Sequence, residues 1–295
     1  MTMRVKFYGV RGSIATAGEE TRRYGGNTSC VAVFCDDETL VFDAGTGIRK
    51  LGADLLRAGR PVDAHLFFSH LHWDHIQGFP FFTPAFIPGQ RVQLYGVTGE
   101  PGEAHAAPVR EAMARQMTAP NFPVSLDTMR ADLRFVDVPY GERILVPSRL
   151  GRRIEVRHTA VDHPNGCVAY RVDYDGRSVV YATDLELMRT LEGDAAHDES
   201  LLSLVDLAAG ADLLVFDAMY TPEEYEGSRG PARRGWGHST FDVGAQVAEQ
   251  AGVKTLALFH HDPAHDDAFM DGLAARAQQR LSSTIVAQEG MELSL

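Results

Sequence analysis

His70, His72, Asp74 and His75 place three imidazoles and a carboxylate within one six-residue stretch, directly after the apolar run Ala64-His65-Leu66-Phe67-Phe68. Imidazole nitrogen and carboxylate oxygen are the usual ligands of zinc and neighbouring divalent ions, so the chemistry to expect is that of a Lewis acid. A lone histidine is more often a solvated or core side chain; a cluster of this density is not well explained that way. The spacing has a geometric meaning. If the chain stays extended past Phe68, residues two apart share a face, and His70 and His72 aim at one point. Asp74 and His75 are adjacent. Both reach inward only if the chain turns there, which would put them at a second point nearby.

Other candidates sit where apolar runs stop. Asp43 follows Leu40-Val41-Phe42, Asp184 follows Val179-Val180-Tyr181-Ala182, Asp217 follows Leu213-Leu214-Val215-Phe216, and His260 follows Leu256-Ala257-Leu258-Phe259. An aspartate after a strand is ordinarily a turn or helix cap. Repetition of the pattern points instead to one sheet edge that carries a site. Strands are expected at Arg4 to Tyr8, Val31 to Cys35, Thr39 to Phe42, Ala64 to Phe68, Arg91 to Tyr95, Leu133 to Val136, Ile154 to Arg157, Val168 to Val172, Ser178 to Tyr181, Leu213 to Phe216, Thr255 to Leu258 and Thr284 to Ala287. Helices are expected at Ile48 to Ala58, Pro108 to Met117, Leu201 to Ala209, Phe241 to Ala251 and Asp266 to Arg280. This alternation predicts an α/β protein of two mixed sheets flanked by helices, in a single domain over residues 1–295.

The chain of 295 residues is 44% hydrophobic and 23% charged, the profile of an ordinary globular protein without a membrane span. Its start reads as a first strand rather than an export signal, so a cytoplasmic protein is expected. The three cysteines, Cys30, Cys35 and Cys167, form no C-x-x-C pair and read as reduced core thiols. A net charge of −12 argues against a large nucleic-acid surface. It leaves room for a small anion held by local arginines. Arg229, Arg233 and Arg234 lie in a glycine-rich stretch that could close over such an anion; the plainer alternative is a solvated loop. Arg11 and Asn27 lie in Gly/Ser-rich segments that could line the same pocket. Trp73 and Trp236 could stack on a base.

The pattern His70-x-His72-x-Asp74-His75 resembles the signature of the metallo-β-lactamase superfamily. Phe42-Asp43-Ala44-Gly45, His163 in Val161-Asp162-His163-Pro164, Asp184 in Tyr181-Ala182-Thr183-Asp184, and His260 in Leu258-Phe259-His260-His261-Asp262 resemble its other motifs, in order. The resemblance implies an αβ/βα sandwich with two divalent metal ions at one edge, zinc by default and manganese or iron as alternatives. His70, His72 and His163 would hold one ion, Asp74, His75 and His260 the other, and Asp184 would bridge them. Asp74 thereby also enters the catalytic set. Adjacent histidines on an extended chain point oppositely, so one of His260 and His261 should ligate; the family register favours His260. Asp43 reads as a carboxylate that orients a ligating histidine, or as a plain turn residue. His65 and His158 read as structural, and His105, His197 and His265 as solvated.

Val10-Arg11-Gly12-Ser13, Gly237-His238-Ser239-Thr240 and Asp217 resemble the phosphodiesterase side of the superfamily, which includes ribonuclease Z and cyclic-nucleotide phosphodiesterases. There His238 and Asp217 would form a proton-donating pair, with Asp217 one methylene shorter than the usual glutamate. Ser239 would help bind substrate, or Ser239 or Thr240 would simply cap the following helix. The basic arm with which ribonuclease Z grips transfer RNA has no counterpart, since Glu100 to Thr128 is not strongly basic. The expectation is a two-metal phosphodiesterase acting on a small anionic, nucleotide-like diester, with a large nucleic acid disfavoured, no membrane, and a homodimer in keeping with relatives. The rival readings are a transfer-RNA 3′ endonuclease, a lactone or thioester hydrolase, and a metal-bound sensor without turnover.

Overall fold

Long apolar runs alternate with amphipathic stretches along the chain, and the runs at the middle of each sheet become strands with both faces covered. The computed structural model describes residues 2–99, 108–187, 195–228 and 230–295. His105, Arg229 and the side chain of His197 lie outside the described residues.

The first half builds one layer pair from β1 (Met3–Gly9), β2 (Cys30–Cys35), β3 (Glu38–Phe42), α1 (Ile48–Arg57), β4 (Asp63–Phe68), α2 (Trp73–Ile76), β5 (Arg91–Thr98), α3 (Val109–Gln116) and β6 (Asp132–Pro139). The second half builds the other from β7 (Ile144–Pro147), β8 (Arg153–Val161), β9 (Cys167–Tyr174), β10 (Arg177–Ala182), α4 (Ala195–Ala208), β11 (Leu213–Asp217), α5 (Pro222–Tyr225), α6 (Phe241–Ala251), β12 (Thr255–Phe259), α7 (Asp267–Arg280) and β13 (Thr284–Val286). A last strand, β14 (Glu292–Ser294), returns to pair with β1.

Among the described residues the strands form two seven-stranded sheets, ordered β14-β1-β2-β3-β4-β5-β6 and β13-β12-β11-β10-β9-β8-β7. Both are mixed. From β14 to β3 the pairings are antiparallel and from β3 to β6 parallel; the second sheet repeats this, antiparallel from β7 to β10 and parallel from β10 to β13. The inner faces share one apolar core, in which Phe42 packs on Tyr170 and Tyr181 and Phe7 on Phe259. Helices α1 and α3 cover the first sheet from outside, and α4, α6 and α7 cover the second. The architecture is the αβ/βα sandwich. Strands buried on both faces, such as β3 and β11, carry the apolar runs Leu40-Val41-Phe42 and Leu213-Leu214-Val215-Phe216 because neither face meets water.

Two strands escape periodicity. β7 has four residues and β14 three, ending in Glu292 and Ser294, which is too short for a period of two to stand out. Among the described residues no helix is long and apolar enough to cross a membrane.

Candidate metal centre

β3 and β4 run parallel, as do β10, β11 and β12, so their C-terminal ends gather at one edge of the sandwich. Asp43, Ser69-His70, Asp184, Asp217 and His260 leave from those ends, and His163 leaves β8 at the same edge. His72 is still extended (φ −65°, ψ 153°). The chain then turns into α2, where the His75 amide donates to the His72 carbonyl at 3.0 Å. That single turn carries Asp74 and His75 back inward.

Two groups of ligand atoms share Asp184, and a third, of Asp217, His238 and His260, lies alongside. His70, His72, His163 and Asp184 form one, and Asp74, His75, Asp184 and His260 the other, with the atoms of each group within 4.8 Å of one another. Asp184 faces both. Its Oδ2 lies 3.6 Å from His70 Nε2 and 3.7 Å from His163 Nε2, while its Oδ1 lies 3.2 Å from His75 Nε2 and 3.1 Å from His260 Nε2. Asp74 Oδ2 completes the second group, 3.2 Å from His75 Nε2 and 3.3 Å from His260 Nε2. His72 turns Nδ1, not Nε2, toward His163 Nε2 at 3.2 Å.

These residues fit a pair of divalent ions. Nitrogens each about 2.0–2.1 Å from a tetrahedral zinc stand about 3.3 Å apart. His72 and His163 are at 3.2 Å, and His75 and His260 at 3.3 Å. His70 Nε2 is buried with no hydrogen-bond partner. A buried, unpaired imidazole acceptor aimed at a carboxylate oxygen needs a cation between them. Burial would lower the His75 imidazole, but Asp184, Asp74 and Asp43 outweigh it and raise its pKa. Burial would raise the Asp74 carboxyl, yet His75 and His260 hold it well below the usual carboxylate range. Burial lowers the pKa of the His70, His72 and His163 imidazoles, which favours the neutral form that a metal ligand needs.

The far nitrogen of three of the four histidines that point Nε2 inward has a partner that fixes the tautomer. His75 Nδ1 donates to Asp43 Oδ2 at 2.7 Å. His70 Nδ1 meets Ser69 Oγ at 3.1 Å, and that hydroxyl donates to Asp43 Oδ2 at 2.7 Å. His163 Nδ1 donates to the Gly237 carbonyl at 2.8 Å. His260 Nδ1 is buried with no hydrogen-bond partner among the described residues, 4.0 Å from Asp217 Oδ1. Asp43 also accepts from the Ser69 amide at 2.8 Å and from Tyr181 Oη at 2.8 Å. Asp43, Asp184 and His260 have φ of 61°, 52° and 60°, and so does Ser13 (60°), whose amide donates to Asp74 Oδ2 at 2.8 Å. Non-glycine residues hold this left-handed conformation only where their surroundings enforce it.

His238 stands between the two groups. Its ring lies 5.4 Å from that of His163 and is stacked 5.0 Å from that of His260. Nδ1 donates to Asp217 Oδ2 at 2.9 Å, so the shorter aspartate reaches its partner without the extra methylene. Burial works to lower the His238 pKa, but Asp217 outweighs it, and the value is pushed up to about 9.

The residues expected around the substrate separate. Arg233 is half-buried beside this centre, stacked 4.5 Å over Trp236 and 5.8 Å over Tyr220, whose ring meets His238 edge-on at 5.9 Å. Arg234 is exposed and paired with Glu226. Arg11 is not at the pocket. It is fully buried, with its guanidinium donating to the carbonyls of Gly25, Asp262 and His265. Asn27 is spent on Glu289, its Nδ2 donating at 3.0 Å. Ser239 is buried and donates to the Leu185 carbonyl at 2.6 Å, and Thr240 is the N-cap of α6 without a side-chain cap bond. His261 points away from the centre, its Nε2 donating to the Ala287 carbonyl at 2.9 Å. His265, expected in solvent, is buried against Phe269 and bonded to Glu224. Trp73 is 79% exposed and Trp236 54%. Glu186 was not singled out by sequence; it follows the bridging aspartate by two positions, and no spacing rule marks it.

Fold and ligand set together define a metal-dependent hydrolase of the αβ/βα class. The chain belongs to the metallo-β-lactamase superfamily: residues 38–261 match the family described as Beta-lactamase superfamily domain. It is 27% identical to a Ribonuclease Z of Haloarcula marismortui over 99% of this chain and 96% of that one. It is 30% identical to a Ribonuclease Z of Haloferax volcanii, over 88% and 84% respectively. Among solved structures, the metallo-beta-lactamase fold protein YhfI from Bacillus subtilis superimposes with a TM-score of 0.68 at 18% identity, covering 100% of this chain and 99% of that one.

Proposed function

We propose that the protein is a two-metal phosphodiesterase that hydrolyses a small, nucleotide-like phosphodiester, such as a cyclic nucleotide. The observation that carries this reading is the His238–Asp217 pair set between two complete ligand groups. His70, His72 and His163 would hold one ion, Asp74, His75 and His260 the other, with Asp184 between them. A pair of divalent ions held there, zinc by default, would supply Lewis acidity to acidify water and offset the charge on phosphate oxygens. Asp43 and Ser69 keep the His70 and His75 rings turned inward. Asp217 fixes the His238 tautomer so that Nε2 carries the other proton, which can pass to the leaving oxygen as the P–O bond breaks. Arg233, braced on two aromatic rings, is placed to pair with a phosphate oxygen.

The Ribonuclease Z relatives favour a second reading, an RNA endonuclease. The −12 net charge and the absence of a basic arm in the sequence favour the small substrate. Zinc-loaded protein should be assayed side by side on bis(p-nitrophenyl) phosphate, cyclic nucleotides, dinucleotides, precursor transfer RNA and a lactone. The expected result is turnover of a small diester, with His238→Ala lowering kcat about 10²–10⁴-fold at unchanged metal content. Faster, salt-sensitive cleavage of RNA would replace the first reading by the second. Lactone turnover alone would remove both.

A further inference from the structure

The segment that leaves β10 does more than present Asp184. The Leu185 amide donates to Asp217 Oδ2 at 3.2 Å and the Leu185 carbonyl accepts from Ser239 Oγ. The Leu187 amide donates to that same hydroxyl at 3.3 Å. Between them, Glu186 is buried, and among the described residues its side-chain partners are three donors rather than a cation. Oε1 accepts from Tyr225 Oη at 2.6 Å and from the Gly235 amide at 2.7 Å; Oε2 accepts from the Gly237 amide at 2.8 Å. The backbone amide of Glu186 donates to the Asp162 carbonyl at 2.9 Å.

These contacts converge on one ligand. Asp162 precedes His163, and the Gly237 carbonyl orients His163 Nδ1. Glu186 thus holds His163 from both sides, through its backbone amide on the Asp162 carbonyl and through Gly237, whose amide it binds and whose carbonyl fixes the His163 tautomer. The same two amides bracket Trp236, on which Arg233 stacks. We propose that Glu186 is a positioning residue that latches the residue 230–237 loop to the bridging-aspartate turn. It thereby seats His163 for one of the two metal positions and Arg233 and His238 for substrate. A buried carboxylate accepting three donors holds a loop better than any neutral side chain of its size, because charge-assisted hydrogen bonds are the stronger kind. The kinetic consequence rests on the two-metal reading above; the loop consequence does not.

Glu186→Gln should be compared with the unaltered protein by three measurements. Trypsin cleavage after Arg233 and Arg234, followed by mass spectrometry on metal-free protein, should quicken about tenfold as the loop opens more often. Zinc competition against a chromophoric chelator should show one of two equivalents weakened about 10–100-fold and the other unchanged, the usual effect of losing a group that orients a ligand. With an active substrate, KM should rise as kcat falls. Unchanged cleavage together with two unchanged zinc equivalents overturns the proposal. So does an equal weakening of both equivalents with a fall in melting temperature, which would mark general destabilisation. If Glu186→Gln does not fold, Tyr225→Phe removes one donor from the same carboxylate and is read by the same measurements, with about threefold effects expected; no change in it overturns the proposal. A wild-type protein that binds zinc and turns over no diester removes the proposed activity and leaves the loop and zinc measurements to decide on Glu186.

Discussion

Asp43 accepts four hydrogen bonds, from the Ser69 amide and hydroxyl, His75 Nδ1 and Tyr181 Oη, and all four donors are buried. Replacing it by asparagine forces an amide NH₂ against a donor. Asp43→Asn should weaken zinc binding about 10–100-fold. It should also cost the metal-free protein about 2–3 kcal/mol, read from urea unfolding. Asp217 makes the opposite case. Its side chain already reaches His238 at 2.9 Å from the last position of β11. Adding a methylene therefore displaces the imidazole rather than improving the pair. Asp217→Glu should lower kcat at least about tenfold without changing metal content; a gain in kcat would show that the pairing is slack. Both aspartates were legible because each ends an apolar run. Arg11 was misread for a physical reason: local glycine and serine suggest a flexible rim, whereas three carbonyls from distant segments bury the guanidinium.

The elements deliver ligands through strained ends, and glycine appears where a side chain has no room. Gly237 has φ of 83°, and a Cβ there would sit 2.5 Å from His163 Nδ1. Gly237→Ala should therefore leave one zinc equivalent bound and release the other, measurable by elemental analysis after dialysis. The turn at α2 could be inferred from sequence, since adjacent ligands cannot share a face of an extended chain. Its helical form could not. Most strand positions were legible because the inner strands of both sheets are covered on both sides, so burial wrote itself into composition; β7 and β14, short and half-exposed, were not. Glu186 was not legible. Its partners are two backbone amides and a tyrosine some forty to fifty residues on, and backbone amides leave no trace in side-chain pattern.

For the molecule as a whole, stability should depend on acid and on metal separately. Burial pushes the imidazoles of His65 and His158 down to about 4. Both are neutral in the fold, while an unfolded histidine takes up its proton near pH 6.5. Below that pH the unfolded chain binds more protons, so stability is complete above about 6.5 and falls toward pH 4, by about 1.4 kcal/mol per unit for each group. His65→Phe should flatten the slope by one such contribution in urea titrations of metal-free protein. Chelation should lower the melting temperature at neutral pH; zinc at a hundred times its Kd adds about 2.7 kcal/mol per site. Each ligand group takes residues from both halves of the chain: His70 and His72 with His163, and Asp74 and His75 with His260. The sheets meet through the core around Phe42, Tyr170 and Tyr181, well inside the molecule. Metal affinity, read with zinc as the probe, would consequently be a strain gauge for the sandwich. A small slip of one sheet over the other, caused by trimming a core ring that touches no ligand, would be read at the rim as a weaker grip on the ion.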